Sequence, residues 1–137
     1  MSKLPGKRTV TPTREQLEAA EPTRSVWVMA NAGSGKTHVL VNRVVRLLLA
    51  GCTPESILCL TFTKAAAAEM SLRLFKLLAS WIGLGDTELA GALTALGLEQ
   101  VSPVELARAR RLFAVAIETP GGLKIQTIHA FCEKLLQ

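Results

Sequence analysis

Cysteine is scarce and unpaired: Cys52, Cys59 and Cys132 are odd in number, and none stands in a Cys-x-x-Cys spacing. That argues against a disulfide framework or a zinc site and fits a reducing cytoplasm, with ordinary packing as the expected role of the three thiols. Long apolar runs are missing as well. The longest apolar segment, Val39 to Leu49, is broken by Asn42, Arg43 and Arg46, so it is too short and too charged to span a bilayer. The opening residues, Met1 to Arg8, carry positive charge without the apolar stretch of a signal peptide behind it. Acid is in deficit, since 11 acidic against 16 basic residues leave a net charge of +5. The sign favours a polyanionic partner, although solubility alone accounts for so modest a value. At 137 residues the chain makes one domain or part of one, enough to bury roughly two thirds of its unfolded surface.

What is present is concentrated in one stretch. Ala30-Asn31-Ala32-Gly33-Ser34-Gly35-Lys36-Thr37 follows the apolar run Val26-Trp27-Val28-Met29 and precedes a helix-like segment. This is a Walker A phosphate-binding pattern with Ala30 in place of the first glycine, a position that needs only ordinary backbone angles. Gly33 and Gly35 let successive N–H groups converge on phosphate oxygens. Lys36 supplies a point charge near the terminal phosphates, and Thr37 offers a hydroxyl to Mg²⁺. The helix that starts there adds its positive dipole end. A chance glycine-rich turn is the competing reading, and the apolar run before it and the periodic helix after it argue against that. A nucleoside triphosphate with Mg²⁺ is the expected ligand.

Around this loop the chain reads as alternating strands and helices. Residues 1–13 form a loose arm; Thr13 is placed to cap a short helix from Arg14 to Ala20, ended by Pro22. Ser25 to Ala30 is the first expected strand, apolar throughout as for a parallel strand covered on both faces. A helix of about fifteen residues ending at Gly51 follows the loop, then a turn at Thr53-Pro54-Glu55-Ser56 and a second strand, Ile57 to Thr61. The next helix runs from Lys64 to about Ser80, with Met70, Leu74, Leu77, Leu78 and Trp81 on one face. Leu89, Leu93 and Leu96 mark a short helix closed by Gly97. Ser102-Pro103-Val104-Glu105 combines a capping box with a first-turn proline, starting a helix that reaches about Glu118. Its arginines, Arg108, Arg110 and Arg111, read as a solvated face. A third strand, Leu123 to Thr127, leads into a final helix still periodic at Gln137. That pattern is an α/β domain with a parallel sheet, flanking helices and a helical insertion. The helix without a stop signal gives the expectation that the chain is a piece of something longer.

Three further segments raise the specificity. Thr11-Pro12-Thr13-Arg14-Glu15-Gln16-Leu17 resembles the Q motif of superfamily 1 DNA helicases of the UvrD/Rep type, and Thr61-Phe62-Thr63-Lys64-Ala65-Ala66-Ala67-Ala68-Glu69-Met70 resembles their motif Ia. Gln126-Thr127-Ile128-His129-Ala130-Phe131-Cys132 is similar to motif Ib in its RecB-like form. The wording from Gly121 to Glu133 and the long insertion before it look closest to the AddA subunits of AddAB helicase-nucleases. The resemblance implies a P-loop NTPase, RecA-like fold, of which this chain is the N-terminal part of the first motor domain. Residues 1–24 would be arm and Q motif, 25–80 phosphate loop and motif Ia, 81–122 the helical insertion, and 123–137 motif Ib. It implies an ATP-dependent DNA helicase of double-strand-break repair, working on single- and double-stranded DNA with an AddB-like partner subunit in the cytoplasm.

By the same resemblance Gln16 reads the adenine edge of ATP, its amide able both to donate and to accept; the alternative is a solvent-facing glutamine. Phe62, Thr63 and Lys64 line the single-strand track, an aromatic face stacking on a base while hydroxyl, ammonium and helix N–H groups hold phosphates. Phe62 as a core residue is the alternative. Many relatives have Asn-Lys where this chain has Lys64-Ala65, which moves the charge by one place. Thr127 and His129 are expected to contact DNA backbone or base. His38, where relatives often carry Arg, receives no role. An ATPase motor also needs an acidic Walker B pair and an arginine finger, and the sequence holds neither. Phe113 to Glu118 is an apolar run ending in acid, but it is helically periodic and meets Thr119-Pro120-Gly121-Gly122. The isolated chain is therefore expected to bind nucleotide weakly without turning it over. A small P-loop kinase and a non-catalytic nucleotide-binding module are the competing functions.

Overall fold

The computed structural model describes residues 11–29 and 35–137. Ala30, Asn31, Ala32, Gly33 and Ser34 of the phosphate loop and the arm before Thr11 lie outside the described residues. In chain order the elements are helix α1 (Arg14–Ala19), helix α2 (Lys36–Leu49), a 3-10 turn at Pro54–Ser56, strand β1 (Leu58–Thr61), and helices α3 (Lys64–Ile82), α4 (Asp86–Ala95) and α5 (Pro103–Glu118). Strand β2 (Lys124–Thr127) and helix α6 (Ile128–Leu135) follow. β1 and β2 pair in parallel, Leu58 opposite Lys124 and Thr61 opposite Thr127. The result is an α/β fold with a small two-stranded parallel sheet.

The helix boundaries follow local chemistry. Ser102 N donates to the Glu105 carboxylate at 2.9 Å, the Ser102 hydroxyl contacts the same carboxylate, and Pro103 occupies the first turn, so α5 starts where its capping box predicts. Those two contacts from Ser102, hydroxyl first, hold the Glu105 carboxyl below the ordinary glutamate range. At the other end of α2, Gly51 takes φ 102°, a left-handed angle that stops the helix and suits glycine.

The core is built mainly among helices, with Ile57 in it and the strand residues Cys59 and Ile125 packed against it. Val41, Val44, Val45, Leu48 and Leu49 from α2 meet Met70, Leu74, Leu78 and Trp81 from α3; α4 adds Leu89 and Leu93, and α5 adds Ala109, Leu112 and Ala116. Phe75 and Phe113 pack edge to face with ring centres 6.3 Å apart. Each fully buried Leu contributes about 1.5–3 kcal/mol, whereas an isolated strand pair is marginal at best. The helical core therefore supplies much of the stability that holds the strand ends in place.

The expected first strand differs. Ser25 to Met29 carries no ladder hydrogen bonds, and the sheet has two strands among the described residues, not three. Exposure alternates along it: Val26 and Val28 are half covered at 42% and 44%, while Trp27 and Met29 stand out at 87% and 86%. That is the period-two signature of extended chain with one open face. The segment lies beside α1, sharing a cavity of about 400 Å³ with Glu15, Glu18 and Ala19. An apolar run cannot by itself distinguish a strand buried on both faces from one lacking a neighbour. No helix among the described residues is long and apolar enough to cross a membrane.

Candidate nucleotide and nucleic-acid site

Gly35 has φ 84°, left-handed, and directly precedes α2, whose first two residues are Lys36 and Thr37. The backbone N–H groups of the first helical turn lack intrahelical partners and carry the positive end of the dipole. Lys36 is exposed and Thr37 half-buried at that end. A charged ammonium and a hydroxyl side by side on a helix start suit a triphosphate and its Mg²⁺ chemically.

Gln16 comes to the same place from α1. Thr13 caps this helix through a reciprocal pair: Gln16 N donates to Thr13 Oγ1 at 3.2 Å and Thr13 N donates to Gln16 Oε1 at 2.9 Å. The amide oxygen is thereby held, keeping one further lone pair. Its nitrogen faces the loop, for a Cβ on Gly35 would sit 3.4 Å from Gln16 Nε2. Gln16 and Lys36 line one cavity of about 240 Å³, with Thr13, Val28, Met29 and Val39 among its other walls. The structure thus brings the Q-motif glutamine and the Walker lysine together.

The other candidates gather at the carboxyl ends of the strand pair. Because Thr61 pairs with Thr127, the two strand-to-helix corners stand side by side. Thr63 caps α3, its hydroxyl accepting from Ala66 N at 3.1 Å, and Thr127 caps α6 by accepting from Ala130 N at 3.2 Å. Phe62 is 89% exposed, which removes the alternative of a core aromatic. Lys64 and His129 are exposed beside it. Thr127 is 8% exposed with its hydroxyl engaged, so its observed work is that of a helix cap.

Three groups were misjudged by sequence reasoning. Arg43 and Arg46, read only as interruptions of an apolar run, reach from α2 to the chain around α1; an i, i+3 arginine pair on an otherwise apolar helix is the signal that points to them. Arg108 and Arg110 are not simply solvated: Arg108 donates to Leu49 O at 2.8 Å, closing the end of α2, and Arg110 donates to Leu84 O at 3.1 Å and to Asp86 Oδ1 at 2.5 Å. The cysteines divide. Cys52 and Cys132 are exposed instead of packed, while Cys59 is half-buried on β1, where burial pushes its thiol up.

A parallel strand pair feeding two capped helices, beside a helix that opens on Gly-Lys-Thr, marks a protein of the α/β class with a helix start suited to phosphate. The chain belongs to the UvrD/REP helicase N-terminal domain family, whose model matches residues 12–137. It is 34% identical over 131 residues to the AddA-type ATP-dependent helicase/nuclease protein of Levilactobacillus brevis, covering 96% of this chain and 9% of that protein. The protein of the same name in Ligilactobacillus salivarius is 31% identical over 126 residues, covering 91% of this chain and 9% of its own length. DNA helicase II of Escherichia coli is 45% identical over 76 residues, or 50% of this chain and 11% of that protein. The chain thus spans about a tenth of the length of these curated relatives. No solved structure matches.

Proposed function

We propose that this chain is the ATP-binding, single-strand-contacting N-terminal portion of a DNA-repair helicase with a RecA-like P-loop motor, working in the cytoplasm as one component of a helicase-nuclease. Lys36 and the loop Ala30 to Gly35 hold the phosphates, Thr37 holds Mg²⁺, and Gln16 addresses adenine. Mg²⁺ held there would supply positive charge to offset that of the phosphates. Phe62, Thr63, Lys64 and His129 meet DNA, with Thr127 fixing the corner from which His129 projects. An AddB-like chain is the proposed partner, in keeping with relatives whose names make them one subunit of a helicase/nuclease.

The observation that carries the reading is the register of Thr61 with Thr127, which puts an exposed aromatic, a lysine and a histidine on two adjacent helix starts. Such corners, beyond the carboxyl ends of parallel strands, are where α/β proteins bind ligands. A small-molecule kinase has no use for that surface. In the complete polypeptide, Lys36→Ala abolishes Mg·ATP binding by calorimetry, and Phe62→Ala weakens single-stranded oligonucleotide binding by about 1–3 kcal/mol, the scale of one base stack. Nucleotide binding indifferent to oligonucleotide, with Phe62→Ala silent, would favour the kinase or the non-catalytic module. The isolated chain, lacking a Walker B pair, binds nucleotide without turnover. DNA-stimulated hydrolysis by it, lost in Lys36→Ala, overturns that part.

A further inference from the structure

We infer that Arg43 is a positioning residue for base recognition: it holds the backbone around α1, and through it Gln16, against the helix that carries Lys36. The inference rests on the nucleotide reading above and deepens it.

Three carbonyls converge on one guanidinium. Arg43 Nη1 donates to Ala19 O at 3.2 Å and to Glu21 O at 2.8 Å, and its Nη2 donates to Arg24 O at 2.6 Å. One turn further along α2, Arg46 donates to Leu17 O at 3.1 Å and to the Glu21 carboxylate at 2.9 Å. These acceptors lie at and just past the end of α1, where helix carbonyls have no partner of their own. A planar, permanently charged fork suits several carbonyls at once in a way that a lysine ammonium does not. With six residues, α1 is far below the length at which a helix is stable alone, so its position comes from what it is fastened to.

What it is fastened to is the same rod that begins with Lys36 and Thr37. Seven helical steps lead from Lys36 to Arg43, a rigid span of about 10 Å. Gln16 is thus referenced to the phosphate residues through backbone held by the guanidinium groups of Arg43 and Arg46 rather than through a loop. The insertion joins the arrangement: Gly97, at φ 104°, packs so closely that an added Cβ would lie 3.3 Å from Arg46 Nη1 and 3.6 Å from Leu17 Cδ2. Releasing the clamp frees the base-reading arm while leaving the phosphate residues on α2 in place.

The test separates these two halves of the ligand. In the complete polypeptide, affinities for Mg·ATP, Mg·GTP and inorganic tripolyphosphate are measured by calorimetry for wild type, Gln16→Ala, Arg43→Ala and the double variant. Arg43→Ala is expected to weaken ATP by up to about tenfold, the effect of losing the amide hydrogen bond of Gln16 to adenine, and to bring the ATP/GTP ratio toward one. Tripolyphosphate affinity stays within about twofold, because its contacts lie on α2. In the Gln16→Ala background, Arg43→Ala should change the ratio no further. Should Arg43→Ala fail to fold, Arg43→Lys carries the same comparison with a partial loss of preference. An unchanged ATP/GTP ratio in these Arg43 variants, or an equal loss of tripolyphosphate and ATP, overturns the inference. A wild type that binds neither ATP nor tripolyphosphate, or that keeps its base preference in Gln16→Ala, instead overturns the nucleotide reading on which it rests.

Discussion

Thr63 and Thr127 perform one task at two corners. Each accepts the N–H three residues on and so starts the helix that follows its strand, two residues past Thr61 at the first corner and at the last strand residue itself at the second. Thr61 reinforces the first corner by donating its hydroxyl to Thr63 O at 2.9 Å. Replacing either cap by alanine is expected to lower unfolding free energy by about 1 kcal/mol, while asparagine or serine, which keep a capping oxygen, hold it near wild type. Urea denaturation checks this; a Thr127→Ala variant of unchanged midpoint would show that the corner does not depend on its cap. The distinction bears on DNA contact, because oligonucleotide affinity lost together with stability reports the corner, and affinity lost alone reports a direct touch.

Between elements, the junction of α1 with α2 depends on a charge that titrates. Burial raises the Glu21 carboxyl, but the Thr23 N–H and the Arg46 guanidinium outweigh it and leave the group below the ordinary glutamate range. A depressed folded value means that the carboxylate's contribution is complete above the unfolded value of about 4.3 and fades as pH falls through the folded one. Half-exposure limits its size. Glu21→Gln is accordingly expected to flatten the acid limb of the stability curve below about pH 4.3 and to change little near neutrality. Denaturation midpoints measured across that range decide it, and identical acid limbs in the two proteins would sink the assignment.

How much was legible also depends on scale. α3, α4 and α5 could be read to within a few residues because their signals are local: Thr63 before a helical run, Gly97 after one, Ser102 and Glu105 in a reciprocal cap. The clamps were legible only as an arginine pair on α2, since Arg43 finds its carbonyls nineteen to twenty-four residues back along the chain, where local pattern does not reach. The same holds for Ser25 to Met29, whose composition is that of a buried strand but whose pairing depends on chain far away. Within the candidate site, the Gly35-Lys36-Thr37 start followed from the phosphate-loop motif, while an exposed Phe62 was implied by the family resemblance, with burial as the alternative. The closeness of Gln16 to Gly35 needed the fold.

For the molecule as a whole, stability should be graded from the helical centre outward. Leu74, Leu78, Leu89 and Leu93 are fully buried at the meeting of α3 and α4 with their neighbours. Amide exchange is expected to be slowest in α2, α3 and α5 and fast from Ser25 to Met29, which has no ladder hydrogen bonds to break. Exchange followed by mass spectrometry tests the order; protection at Trp27 and Val28 matching that of β1 would contradict it.

A parallel pair obliges the chain leaving Thr61 to travel back before it can arrive at Lys124. That route runs along α3 and then turns at an exposed glycine bend, Gly83 and Gly85, where an added Cβ would meet no atom within 4 Å. Evolution or an engineer can therefore lengthen the detour there, splicing in a tag or a reporter module, and both corners still dock shoulder to shoulder.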